Sequence, residues 1–100
     1  MTLSPVERAF VVRSELGLHA RPAGRFVALA GRYRSQVSVS RGDEWVSGRS
    51  VLSLLSLAAG PGTTLRVRAV GEDAEEAVVA LGTLIESPHE GADGTGGGVL

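Results

Sequence analysis

Cysteine is absent from this 100-residue chain, which excludes a disulfide framework and any thiolate metal site. A reducing compartment suits such a chain. Lysine is absent as well: all ten basic residues are arginine, set against eleven carboxylates, for a net charge of −1. A chain built to hold a polyanion would carry a clear basic excess, so nucleic acid is not expected as a partner. No apolar run approaches the roughly 18 residues that span a bilayer, and no membrane insertion is expected. Met1 to Val12 shows neither the basic start nor the unbroken apolar stretch of a secretory leader, so a cytoplasmic location is expected. The length fits one domain with a workable core.

Hydrophobic periodicity divides the chain into alternating element types. Val6 to Arg13 is strand-prone around Phe10, Val11 and Val12. From Ala20 to Arg32, residues Ala23, Phe26, Val27 and Ala30 fall on one helix face, with Tyr33 expected to pack back over the helix end. Gln36 to Arg41 alternates, Gly42-Asp43 turns, and Glu44 to Ser47 returns as a hairpin. Ser50 to Leu57 reads as a short helix with a narrow serine stripe, stopped by Gly60-Pro61-Gly62. Thr64 to Val70 places Leu65, Val67 and Ala69 opposite Arg66 and Arg68. Asp73 and Glu76 have capping-box spacing before a last helix whose expected stripe is Ala74, Ala77, Val78, Leu81 and Leu84, ending near Glu86. Residues 87–100 are too poor in apolar side chains to repay ordering, so a folded domain over 1–86 with a disordered tail is expected. The pattern β-α-β-β-α-β-α implies an α+β domain in two layers, helices covering one face of a mostly antiparallel sheet.

The chemistry concentrates in Leu16-Gly17-Leu18-His19-Ala20-Arg21-Pro22-Ala23, where the first strand hands over to the first helix. The first turn of a helix carries amides without intrahelical acceptors, and the helix dipole adds positive charge there, so an anion is stabilised. Pro22 suits a first turn, where its missing N–H costs nothing. The same positive pole disfavours a charged imidazole at His19, and a neutral ring keeps a nitrogen lone pair able to attack phosphorus. Once bound, phosphoryl oxygens could accept from first-turn amides and from Arg21. Gly17 permits the bend that leaves His19 exposed. A histidine before a helix is, taken alone, more often a cap or a surface residue; its neighbours give this one weight.

Gly17-Leu18-His19-Ala20-Arg21-Pro22-Ala23 resembles the active-centre signature of HPr, the histidine phosphocarrier family of the bacterial phosphoenolpyruvate-dependent phosphotransferase system. Arg49-Ser50, Gly60-Pro61-Gly62 and Gly71-Glu72-Asp73 stand at spacings similar to the family's, so the likeness runs from Val6 to Glu86. The resemblance implies an open-faced β-sandwich with antiparallel strand order 1-4-2-3 and three helices on one side. It also implies a carrier in a phosphotransfer chain rather than an enzyme with turnover of its own. Such a carrier takes phosphate on the δ nitrogen of His19, assisted by Arg21, from phosphorylated enzyme I, and passes it to an EIIA domain.

By the same resemblance Ser50 matches a serine modified by HPr kinase/phosphorylase, although an ordinary N-cap accounts for it equally well. Val51, Leu52 and Leu55 match a partner-docking surface, with core membership as the competing reading, and Arg25 and Arg49 could steer acidic partners or be solvated charges. Trp45, Ser47-Gly48 and the missing lysines depart from the common pattern. Sugar uptake is the leading role. A nitrogen-type regulatory (NPr) branch and a non-catalytic interaction module stay open beside it. A monomer without cofactor is expected, and His89 stands alone in the tail with no metal role.

Overall fold

The alternation that marks Leu65, Val67 and Ala69 places those three side chains on one face of a strand, all of them buried. The computed structural model describes residues 3–14 and 17–88. In chain order the elements are β1 (Val6–Val11), α1 (Ala20–Ala30), β2 (Gln36–Arg41), β3 (Glu44–Ser47), α2 (Val51–Ser56), β4 (Thr64–Val70) and α3 (Ala74–Ile85). The strands form one antiparallel sheet in the order β1-β4-β2-β3. This is the open-faced β-sandwich that the resemblance implies.

Register explains the layering. Phe10 pairs with Leu65, and Val39 lies between Val67 and Val46, so the apolar sets of all four strands share the helix-covered face. The helix α3 packs on β1 and β4, α1 packs on α3, and α2 joins α1 to the β3 edge. Phe26, Leu54, Leu65 and Leu81 are the largest fully buried apolar side chains. Gly82 lets α3 approach closely, since a Cβ there would lie 2.0 Å from the Phe10 ring. The helix-free face carries Trp45 beside Arg66, whose guanidinium sits 5.2 Å from the ring centroid.

Several boundaries differ from the sequence reading. β1 ends at Val11, although Val12 still exchanges hydrogen bonds with the Gly62-Thr63 backbone. Helix α1 stops at Ala30, capped by Gly31, with Tyr33 packed partly buried against the core. Helix α2 ends before Gly60-Pro61-Gly62: Leu57 is its cap, and Ala58 turns left-handed at φ 51°. The Gly-Pro-Gly segment instead makes its own turn, with Gly62 at φ 85° and the Thr63 amide donating to the Gly60 carbonyl at 3.1 Å. In α3, Ile85 is buried where Leu84 was expected, and Leu84 packs only partly against the core.

The capping box is the clearest correction. Asp73 does occupy the N-cap of α3, but its side chain makes no cap hydrogen bond. Its carboxylate accepts from the Arg34 amide (2.9 Å), the Ser35 amide (3.0 Å) and the Ser35 hydroxyl (2.6 Å). The strand ladder begins at Gln36, so the two preceding amides need an acceptor from elsewhere, and Asp73 supplies it. The acidic first turn of α3 comes from Glu75 and Glu76, where negative charge suits the helix dipole.

The Ser35 hydroxyl and the Arg34 amide hold the Asp73 carboxyl below its ordinary 3.8. A lowered native value means the folded state favours the ionised form. That stabilisation is complete well above 3.8 and disappears as pH falls through the lower native value. Asp73→Asn should therefore be less stable than the unaltered chain at neutral pH, and the two should converge as the pH is taken below 3.8 in denaturant titrations. A stability gap that stays constant into acid would show that the carboxylate's charge plays no part.

Candidate functional site

The site is built where the chain leaves β1 and enters α1. Gly17 is left-handed at φ 77°, its amide donates to the Ser14 carbonyl at 3.0 Å, and the His19 amide donates back to the Gly17 carbonyl at 3.1 Å. This tight turn rests on another part of the chain. The Leu18 amide donates to the Ala59 carbonyl at 2.8 Å, while the Leu18 side chain is buried. A Cβ on Gly17 would lie 2.6 Å from the Ala59 oxygen and 2.8 Å from the Gly60 Cα, so only glycine fits against that floor.

His19 is the N-cap residue of α1, extended at φ −99° and ψ −165°. Its carbonyl receives the first intrahelical bond, from the Ala23 amide at 2.9 Å. Its imidazole does not cap the helix and is half-buried, so the ring stands at the helix start with its backbone held on both sides. Pro22 and Ala23 are buried beneath the first turn. Arg21 is exposed and Arg25 half-buried one turn further on, and that spacing places both on the same side of α1. A helix start with a histidine at its cap and an arginine in its first turn can take a phosphoryl group on the ring and bind its oxygens with amides and guanidinium.

The remaining residues singled out from the sequence fall around α2. Ser50 is its N-cap, and its hydroxyl accepts from the Ser53 amide at 3.1 Å. Leu52 is 80% exposed, whereas Val51 and Leu55 are half-buried against the core. The Arg49 guanidinium donates to the carbonyls of Tyr33 and Ser35, 3.1 Å each, so it ties the start of α2 to the turn before β2. Gly48 lies close against Val37, where an added Cβ would meet the Val37 side chain at 2.6 Å. Ala59 is the site residue that the sequence reading missed. It acts through its backbone carbonyl, and no side-chain pattern announces that.

Of the expected tail over 87–100, His89 and the residues after it lie outside the described residues, as does Leu16. Among the described residues no three metal-ligating side chains gather, and no helix is long and apolar enough to cross a membrane.

Gly17→Ala should put a side chain into both a disfavoured backbone region and an occupied space. A loss of about 1–3 kcal/mol in unfolding free energy is expected from denaturant titration. An unchanged midpoint would mean that the turn can leave its floor without cost.

The chain matches a family profile described as the PTS HPr component phosphorylation site over residues 6–87. The phosphocarrier protein HPr of Pseudomonas aeruginosa is 48% identical over 75 residues, covering 74% of this chain and 83% of that protein. The phosphocarrier protein NPr of Shewanella violacea is 32% identical over 90 residues, covering 90% and 99%. Among solved structures, the phosphocarrier protein HPr from Bacillus anthracis superposes with a TM-score of 0.79 at 33% identity, covering 82% of this chain and 98% of that one.

Proposed function

The chain belongs to the HPr/NPr phosphocarrier family of the phosphotransferase system, and from that premise we propose that it carries a phosphoryl group on His19. The observation that carries this reading is the placement of His19: a ring not used for capping, at a helix start whose backbone is anchored through Leu18 and Ala23. In the forward step the lone pair of a His19 ring nitrogen attacks phosphorus in phosphorylated enzyme I. The new N–P bond forms as the donor's bond to phosphorus breaks, and the donor leaves with its electron pair. First-turn amides of α1 and the Arg21 guanidinium neutralise the phosphoryl oxygens, and the group then leaves by the reverse geometry to an EIIA domain. The carrier unit is residues 1–86.

The exposed Leu52, with half-buried Val51 and Leu55, supplies an apolar patch for transient docking, and Arg25 and Arg49 are the charges that would steer acidic partners to it. The acceptor we favour is the EIIA of a sugar permease. A nitrogen-type EIIA is the second reading, favoured by the likeness to an NPr protein across 99% of that relative. Ser50 is a further acceptor for HPr kinase/phosphorylase: phosphate there would add charge beside the apolar patch and oppose docking.

Incubation with phosphoenolpyruvate and enzyme I should add one phosphoryl group that is labile in acid and stable in alkali. His19→Ala should lose it completely, and a label that survives the substitution would exclude the site. Presenting the charged carrier to each kind of EIIA then decides the branch by which one discharges it. With ATP and HPr kinase, an acid-stable adduct absent from Ser50→Ala is expected, and no adduct would remove the regulatory role.

A further inference from the structure

Arg41 closes β2, far in sequence from the His19 turn, and its side chain reaches the segment on which that turn rests. Its Nη1 donates to two carbonyl oxygens at once, those of Leu57 and Ala58, each at 2.9 Å. These carbonyls end α2, where intrahelical donors have run out and the dipole is negative, so a guanidinium is a fitting partner. Ala58 is also the one non-glycine residue with positive φ among the described residues, at 51°. An L-residue enters that region only when its surroundings hold it there.

The three residues at this point act in succession. Ala58 is gripped by Arg41. Ala59 is buried, and its carbonyl receives the Leu18 amide at 2.8 Å, one residue before the phosphoryl-bearing ring. Gly60 forms the surface against which Gly17 is pressed, with its Cα 2.8 Å from where a Gly17 Cβ would stand. Rotating Ala58 out of its left-handed state would swing the Ala59 carbonyl, and the Leu18 bond would be lost with it.

We propose that Arg41 is a positioning residue for His19: by holding Leu57 and left-handed Ala58, it aims the Ala59 carbonyl that anchors Leu18 and so orients the ring. The proposal rests on the phosphocarrier reading, because it assigns Arg41 a role in that same transfer. Arg41 acts through backbone, by way of the Leu57 and Ala58 carbonyls. Phosphoryl transfer depends steeply on alignment, so a small drift of the His19 turn is costly even when docking is intact.

The test combines Arg41→Ala, Ala58→Gly and the double variant, with two measurements on each. Hydrogen exchange at the Leu18 amide reports the anchor, and the Val67 and Leu81 amides report overall stability. The rate of phosphoryl uptake from phosphorylated enzyme I, at saturating and subsaturating carrier, separates kcat from KM. Arg41→Ala should speed Leu18 exchange more than that of the two core amides. It should also lower kcat by roughly ten- to a hundredfold with KM nearly unchanged. Glycine holds φ 51° without help, so adding Ala58→Gly should restore both the Leu18 protection and the rate.

Leu18 exchange that rises only in step with the core amides would reduce Arg41 to a general stabiliser and overturn the proposal. So would a double variant no better than Arg41→Ala, or an unchanged kcat. Failure of the unaltered chain to accept phosphate would overturn the phosphocarrier reading and the positioning role together. An active unaltered chain with an indifferent Arg41→Ala would overturn the positioning role alone.

Discussion

The hydrogen bond from the Leu18 amide to the Ala59 carbonyl joins the turn before α1 to the segment that follows α2. It is formed in a tight place, with Gly17 against Ala59 and Gly60 on one side and buried Leu18 on the other. Its consequence is that His19 does not sit at the end of a loose loop. The conformational entropy of ordering the turn is met when the chain folds, so the backbone carrying His19 has its direction set by the fold. The helix begins directly afterwards, with the Ala23 amide on the His19 carbonyl, so the ring and the helix's positive pole are set in one geometry.

A second node lies at Ser35, which is fully buried. Its amide and hydroxyl donate to Asp73 at the start of α3, and its carbonyl accepts from Arg49 just before α2. The start of β2 is therefore bound to the N-terminal ends of two helices. A buried polar residue on this scale is acceptable because its donors and its carbonyl are all matched. The arrangement also changes the meaning of Arg49. A guanidinium spending two bonds on backbone carbonyls orders the approach to Ser50, whatever it also contributes at the surface.

Burial patterns were readable in advance wherever one element faces one layer. Leu65, Val67 and Ala69 in β4, or Ala23, Phe26 and Ala30 in α1, announce their buried face by period alone, and the structure buries them. Asp73 misled because a carboxylate three residues before Glu76 looks the same whether it serves its own helix or a strand end across the fold. Leu84 and Ile85 are adjacent and both apolar, and the close seat of α3 on Phe10 at Gly82 chose between them. Gly60-Pro61-Gly62 is a true turn signal, but α2 had already ended at a left-handed alanine that no propensity would nominate.

What this sequence determined unaided is local: which segments alternate with period two, which carry a helical stripe, and that a histidine, an arginine and a proline open the first helix within four residues. Those follow from side-chain chemistry and backbone sterics over a few neighbours. The strand order could be named only by resemblance, and the floor beneath Gly17, the Arg41 grip on Leu57 and Ala58, and the partners of Asp73 and Arg49 were decided by the tertiary structure. Apart from the Ser35 hydroxyl on Asp73, each of these is a contact with main-chain atoms distant in sequence. Every residue but proline presents the same amide and carbonyl, so the side-chain pattern cannot say which of them will meet.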